Sequence, residues 1–156
     1  MSCERAPEVH TGKVELYLLE AWEPGENPVL IDESTVQLSD TPLVTYENII
    51  SYTPANYTYK LTGQGVEQLY STGDNINGKP FAMTANGKLV FTGFFWPAYY
   101  SAMCLWLYID PLFIHEENKL IVHLGYPDLP DGISIPDKRN DEQLLSILRS
   151  DGKLAE

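Results

Sequence analysis

Short segments in which apolar and polar residues alternate recur along this chain, and they predict β-strands. Residues 14–18, 57–61 and 120–124 have the two-residue period of a half-buried strand. Residues 103–109 are hydrophobic at every position, which is typical of a central strand that is covered on both faces. Residues 29–31 and 35–38 could add short extended pieces. The pattern therefore indicates a sheet-rich protein.

The strongest local signal is a β-hairpin centred on Asn86-Gly87. This dipeptide accepts the two positive φ angles of a tight primed turn, and it lies between apolar runs at residues 81–85 and 88–96. Pro97 then ends the second run, because proline cannot donate a ladder hydrogen bond. The hairpin ends in three consecutive aromatic residues, so it is expected to belong both to the core and to the contact surface.

Three segments have helical character. Thr45 precedes residues 46–50 and could cap a helix of one or two turns there, and residues 66–70 are weakly helical. Asn140 and Gln143 have the spacing of a capping box before a terminal amphipathic helix that Gly152 ends. The apolar residues of that helix share one face: Leu144, Leu145, Ile147 and Leu148.

These elements together predict an α+β domain. We expect a mainly antiparallel sheet of roughly five to seven strands, with a short middle helix and the C-terminal amphipathic helix on one face. Residues 1–12 are polar and predict a flexible leader, whereas residues 13–154 show no repeat and no break in composition, as expected of a single globular domain.

Charge limits the partners. The 156 residues include 22 acidic and 10 basic side chains, for a formal charge of −12. Such a field repels nucleic acid and anionic lipid head groups, so neither is expected as a partner. No phosphate-binding loop and no cofactor motif is present in the sequence, and no cofactor is expected.

The two cysteines have different surroundings. Cys104 lies in an apolar run and is expected to be a small buried hydrophobe. Cys3 follows a small residue at the start of a polar leader, as in a mature bacterial lipoprotein, so we expect a lipid anchor there and a place outside the cytoplasm at the cell envelope. The alternative is an incidental exposed thiol. A lipid anchor would be the only expected link to a membrane.

Four segments carry a family resemblance. Residues 38–49, 81–96, 122–127 and 139–154 resemble a group of small, uncharacterised bacterial extracytoplasmic proteins, many of which look like lipoproteins. The hairpin alone is similar to the periplasmic head of a protein-export accessory subunit. The resemblance implies an envelope location and brings no catalytic residues.

Candidates for catalysis and metal binding are weak. Adjacent residues such as His115, Glu116 and Glu117 cannot all face one ion and are expected in a solvated turn. His123 is expected to be a structural histidine of the sheet, and no metal site is expected. A hydrolase with paired carboxylates remains an alternative, its acids drawn from Glu15, Glu20, Glu23, Asp32 and Glu33.

The aromatic residues that follow the hairpin are the best candidates for function. Alternation prevents a strand from burying Phe95 together with both its neighbours on the same side. We therefore expect a ligand-binding site of Trp96, Tyr99 and Tyr100, with Trp22 as a further member. The opposing interpretation is that a helix covers these rings as core.

The function predicted from the sequence is non-catalytic binding. A protein or a cell-wall component is the expected ligand. The alternatives are the hydrolase described above and a subunit of an envelope or export complex.

Overall fold

The computed structural model describes residues 12–71, 76–112 and 114–155, which form an α+β fold of eight strands and three short helices. The predicted fold class is confirmed, but the strand count of five to seven is wrong by at least one. The elements in chain order are β1 (Val14–Glu23), β2 (Asp32–Leu38), β3 (Ile49–Thr53), β4 (Thr58–Leu61), α1 (Gly63–Tyr70), β5 (Pro80–Ala85), β6 (Lys88–Phe95), β7 (Cys104–Ile109), α2 (Ile114–Glu117), β8 (Lys119–Tyr126) and α3 (Glu142–Ser150).

All eight described strands belong to one mixed sheet in the order β2-β1-β5-β6-β7-β8-β4-β3. Neighbouring strands are antiparallel except β6 and β7, which are parallel. Residues 29–31 lie in the loop between β1 and β2 and form no strand, whereas residues 35–38 belong to β2. The sheet is therefore mainly antiparallel, as the alternating segments predicted.

The sheet bends, because a short piece of chain connects β1, next to one edge, with β3 at the other edge. Val44 forms a bridge to Leu16 in β1, and β3 begins only five residues later, at Ile49. Six strand intervals separate β1 from β3, which in a flat sheet would be about 29 Å. Five residues span at most about 18 Å even when fully extended. The sheet must bend to bring these strands together.

The helix predicted at residues 46–50 is shorter in the structure, and the predicted Thr45 side-chain cap is wrong. The structure has a single 3₁₀ turn at Tyr46–Asn48, and Thr45 makes no side-chain cap. The buried amide of Asn48 instead donates to Thr45 Oγ1 at 3.0 Å and accepts from Thr62 Oγ1 at 2.8 Å. These side-chain bonds tie the turn to the start of α1, and the β-branched pair that follows it enters β3.

The two longer helices begin at residues that differ from the prediction. Thr62 caps α1 by accepting a hydrogen bond from Gly65 N, so the helix starts before the weakly helical residues 66–70. Asp141 caps α3 by accepting from Gln143 N, so the predicted cap at Asn140 is wrong by one residue. The amide of Asn140 is engaged elsewhere, because its Oδ1 accepts from the Tyr52 hydroxyl.

The central hairpin forms as predicted. β5 and β6 pair antiparallel, and Asn86 and Gly87 between them have φ angles of 56° and 79°. Asn86 also fastens the turn to the start of β1, since its Oδ1 accepts from Lys13 N and its N–H donates to Lys13 O. A register shift after Met83 places a bulge in β6, as is common where a sheet bends.

Side chains of β6 separate onto two faces of the sheet. The inner face carries Phe91 and Phe95 with Gly93 between them, and the Phe81 ring lies over this glycine so closely that a Cβ there would be 2.5 Å from Phe81 Cζ. The outer face carries Thr92 and Phe94 and continues into Trp96. The inner face is part of the main core, where Phe95 is 0% exposed.

The cysteine and membrane predictions have different outcomes. Cys104 is buried as expected, and burial raises the pKa of its thiol to about 11, so it is not a reactive thiolate. Cys3 lies outside the described residues. Within the described ranges no helix is both long enough and apolar enough to cross a bilayer.

Candidate ligand-binding surface

The predicted site lies on the connection between the parallel strands β6 and β7. Phe95 at the end of β6 pairs with Ile109 at the end of β7, so residues 96–103 must return the chain along the whole length of β7. That length is about 17 Å, whereas eight residues in a helix would cover only about 12 Å. The crossover loop, residues 96–103, is therefore irregular, and it contains a turn in which Tyr100 N donates to Pro97 O at 3.0 Å.

Three hydrogen bonds fix the path of the crossover loop. Trp96 Nε1 donates to Ala102 O at 2.9 Å, which ties the two ends of the loop together. The Tyr126 hydroxyl of β8 donates to Ala98 O at 2.7 Å, and Asn77 Nδ2 donates to the Tyr99 hydroxyl at 2.8 Å. Neighbouring segments on both sides therefore hold the loop, which presents its side chains from a fixed backbone.

The four predicted site residues and Phe94 form one continuous row of rings. Trp96 contacts Tyr100 with ring centroids 5.0 Å apart, and Tyr100 contacts Tyr99 at 5.5 Å. In the other direction Trp96 contacts Phe94 at 6.3 Å, and Phe94 contacts Trp22 at 5.9 Å. We call these five residues the aromatic row. The sequence did not single out Phe94, although it is the ring that connects Trp22 to the others.

Exposure in the aromatic row rises toward the crossover loop. Trp22, Phe94, Trp96 and Tyr100 are half-buried, whereas Tyr99 is 64% exposed. Met103 at the end of the loop is 60% exposed, and these two are the most exposed large hydrophobic side chains in the described part of the chain. The four half-buried rings thus support the surface from below, and the outward-facing side chains are Tyr99 and Met103.

Successive rings of the row meet edge to face. The interplanar angles from Trp22 to Tyr99 are 75°, 72°, 81° and 79°. Edge-to-face contacts are favourable between rings, but they do not present neighbouring rings as one flat platform. The row therefore offers a contoured apolar surface rather than a flat one on which a planar ligand or an extended sugar chain could stack.

The acids proposed for a hydrolase have separate partners. Glu15 accepts from the Tyr17 hydroxyl at 3.2 Å, Asp32 accepts from the Ser34 hydroxyl at 2.7 Å, and Glu33 bonds to Thr92. Burial and Glu15 together raise the pKa of Tyr17. None of these three acids bonds to a second carboxylate in the described chain, although Asp32 and Glu33 line the same groove.

The two described histidines stack on tyrosines. His115 lies in α2, not in the predicted turn, and stacks on Tyr70 with centroids 5.1 Å apart. His123 lies in β8 and stacks on Tyr108 at 4.9 Å. Burial lowers the pKa of His123, which keeps the imidazole neutral near pH 7. In the described ranges no group of three or more His, Cys, Asp or Glu side chains could hold a metal ion.

Arg139 is a buried ionic residue that the sequence did not indicate. Its guanidinium is paired with Asp137 through two nitrogens, at 2.9 Å and 2.7 Å, and it also donates to Val122 O at 3.1 Å. It lies 3.6 Å from the centroid of the Tyr57 ring. The pair lowers the pKa of Asp137 and ties the proline-rich segment to β8. Its role is therefore structural.

Comparison with known proteins leaves the family open. No protein family model, no curated protein and no solved structure matches this chain. The resemblance to small bacterial extracytoplasmic proteins therefore stays a prediction.

Proposed function

We propose that this protein is a non-catalytic binding module that contacts a protein ligand through the crossover loop and the aromatic row. The observation that carries the proposal is the exposure of Tyr99 and Met103, at 64% and 60%, on a loop that three hydrogen bonds hold in place. Large apolar side chains displayed from a fixed backbone bind with little loss of conformational freedom.

A protein fits this surface better than a cell-wall glycan. Tyrosine, tryptophan and methionine are enriched in protein interfaces, and methionine adapts its shape to a partner. A glycan is usually bound by rings that it can stack on, and the edge-to-face arrangement of Trp96, Tyr100 and Tyr99 offers no shared plane. The formal charge of −12 further favours a partner with a basic surface.

The proposal includes where the protein acts in the cell and which face of its sheet the helices cover. We propose that it works outside the cytoplasm, held by a lipid at Cys3, and that α1 and α3 cover the inner face of the sheet and leave the aromatic row free. The buried side chains of Leu144 and Leu148 and the contacts of α3 with β1 and β5 support that arrangement. Mass spectrometry of the native protein tests the lipid, and an unmodified Cys3 behind an intact N-terminus would contradict it.

Site-specific photocrosslinking in the source cells tests the binding surface. Benzoylphenylalanine at Tyr99 should give one dominant protein adduct, and at Tyr70, a 38% exposed tyrosine on α1, it should give none. The adduct at Tyr99 should decrease in the Met103→Ser variant, because that change removes apolar contact area without touching a hydrogen bond of the loop.

Two outcomes would overturn the proposal. Equal crosslinking at Tyr99 and Tyr70 would mean that the loop has no specific partner. Binding of purified cell-wall sacculi, lost in Tyr99→Ser, would replace the protein ligand by a glycan. A stable multiprotein adduct would instead identify the module as a subunit of an envelope complex, which is the narrower form of the same proposal.

A further inference from the structure

An open groove of about 510 Å³ lies between the loop that joins β1 to β2 and strand β7. Its walls are mainly apolar, and its charged lining residues in the described chain are all acids. We call it the Glu33 pocket. Its lining residues that matter here are Glu26, Pro28, Asp32, Glu33, Trp106 and Pro136.

Glu33 is held in the pocket by a buried threonine. Its Oε2 accepts from Thr92 N at 3.0 Å and from Thr92 Oγ1 at 2.7 Å, and Thr92 Oγ1 accepts from Trp106 Nε1 at 3.1 Å. Thr92 and Trp106 are 0% and 2% exposed. The carboxylate is therefore fixed by two donors on a buried anchor, and no lysine or arginine of the described residues pairs with it.

The incomplete pairing of β6 with β7 explains why Thr92 is free to bond to Glu33. β6 pairs with β7 only at Phe94 and Phe95, so Thr92 N, two residues earlier, has no partner in β7 and turns to Glu33. Both hydrogen bonds that the described chain gives Glu33 fall on the same oxygen, Oε2. The other oxygen, Oε1, keeps its acceptor capacity for a ligand.

The chemistry of the pocket selects a cation with an aliphatic stem. Glu26 and Asp32 add negative charge near Glu33, while Pro28 and Pro136 provide apolar walls. Lysine and arginine side chains have this combination, because their methylene stems pack on apolar surface while the charged end bonds to a carboxylate.

Strands β1 and β6 connect the Glu33 pocket with the aromatic row. Phe94 follows Thr92 by two residues in β6, so both side chains lie on the outer face. Trp22 of the row lies near the end of β1, and the loop that follows β1 forms one wall of the pocket. We propose that the Glu33 pocket receives a lysine or arginine side chain of the protein ligand while the aromatic row packs on apolar residues beside it. This inference rests on the proposed function.

Indole signals in ¹⁵N-correlated NMR spectra test the pocket without a partner protein. The chain has three tryptophans: Trp106 reports on the pocket, and Trp22 and Trp96 report on the aromatic row. The probe is N-acetyl-argininamide, with neutral N-acetyl-citrullinamide as its matched control. We expect the arginine probe to shift the Trp106 signal with millimolar affinity and the neutral probe to leave it unchanged.

A pair of charge-matched variants identifies the residue that binds. Glu33→Gln keeps the acceptor for Thr92 but removes the charge, so it should weaken binding of the arginine probe about tenfold. Glu67→Gln removes the same charge from an exposed position on α1 and should leave binding unchanged. An unshifted Trp106 signal, or equal binding by the two variants, would overturn the inference.

These outcomes separate the two proposals. If the crosslink at Tyr99 persists in Glu33→Gln with unchanged salt dependence, the proposed binding surface stands. The proposal that the pocket receives a basic side chain then fails. A shift of the Trp106 signal without any adduct at Tyr99 would contradict the proposed binding surface and keep the cation-binding pocket. The pocket would then bind cations without a protein partner.

Discussion

The two faces of β6 use similar residues for different purposes. On the inner face Phe91 and Phe95 are buried in the core, and Gly93 lets the Phe81 ring lie against the strand. On the outer face Phe94 is only half-buried, and Thr92 is engaged by a side chain from another strand. The inner face therefore contributes mainly apolar burial, whereas the outer face combines a half-buried ring with a buried, hydrogen-bonded polar group.

The difference between the inner and outer faces of the sheet extends from β6 to β7 and β8. Phe94 pairs with Tyr108 in β7, and Tyr108 pairs with His123 in β8, so the outer face continues as a row of aromatic and titratable side chains. Burial raises the pKa of Tyr108, which is 9% exposed, and lowers the pKa of the half-buried His123. An incompletely buried face with polar groups is suited to binding, and a fully apolar face is suited to folding.

Replacing each of two neighbouring phenylalanines by alanine gives the largest expected effect. Phe95→Ala leaves a cavity in the core and should lower the free energy of unfolding by about 3–5 kcal/mol. Phe94→Ala removes a half-buried ring from the outer face and should lower it by only about 1–2 kcal/mol. Urea denaturation of both variants measures the two losses. Equal losses would mean that the outer face is as much core as the inner one.

The alternation of side chains along β6 was sufficient to predict which of its residues lie on opposite faces of the sheet. A period of two places Phe95 opposite Phe94 and Trp96 whatever the rest of the chain does, and Asn86-Gly87 determines the hairpin by its own turn geometry. Both features depend on residues close together in sequence. Local rules therefore predicted the faces of the strand and the region of the candidate surface.

The pocket and the helix starts could not be predicted in the same way. Glu33 and Thr92 are 59 residues apart, and their contact depends on the incomplete pairing of β6 with β7. Asn140 matches the capping pattern, but a hydroxyl 88 residues away in the sequence binds its side chain, and Asp141 caps the helix. Contacts over such distances are decided by the folded sheet, which local pattern does not encode.

Removing one hydroxyl should loosen the outer face without affecting the inner one. Tyr126→Phe deletes the hydrogen bond to Ala98 O, which holds the crossover loop on β8, and should cost about 0.5–1.5 kcal/mol. Hydrogen exchange should become faster at residues 96–103 and stay unchanged in β5. Faster exchange in β5 as well would show that the two faces unfold together and are not separate in stability.

The smallest expected effect concerns the pH dependence of the outer face. Burial lowers the pKa of His123 below its ordinary value of 6.5. As the pH falls below 6.5, His123 becomes protonated in the unfolded chain more readily than in the folded chain. The free energy of unfolding present at higher pH therefore decreases. Between about pH 7.5 and about pH 5.5 we expect a loss below about 1 kcal/mol, since solvent partly screens a half-exposed imidazole.

His123→Gln provides the control for this loss. Glutamine does not titrate, so the variant should show a smaller decrease in unfolding free energy over the same pH range than the unchanged protein, measured by urea denaturation at both pH values. The Phe95→Ala variant should keep the full pH dependence, because its change lies on the inner face. If His123→Gln shows the same decrease as the unchanged protein, the imidazole is solvated, and the outer face near β8 is wetter than its stacking on Tyr108 implies.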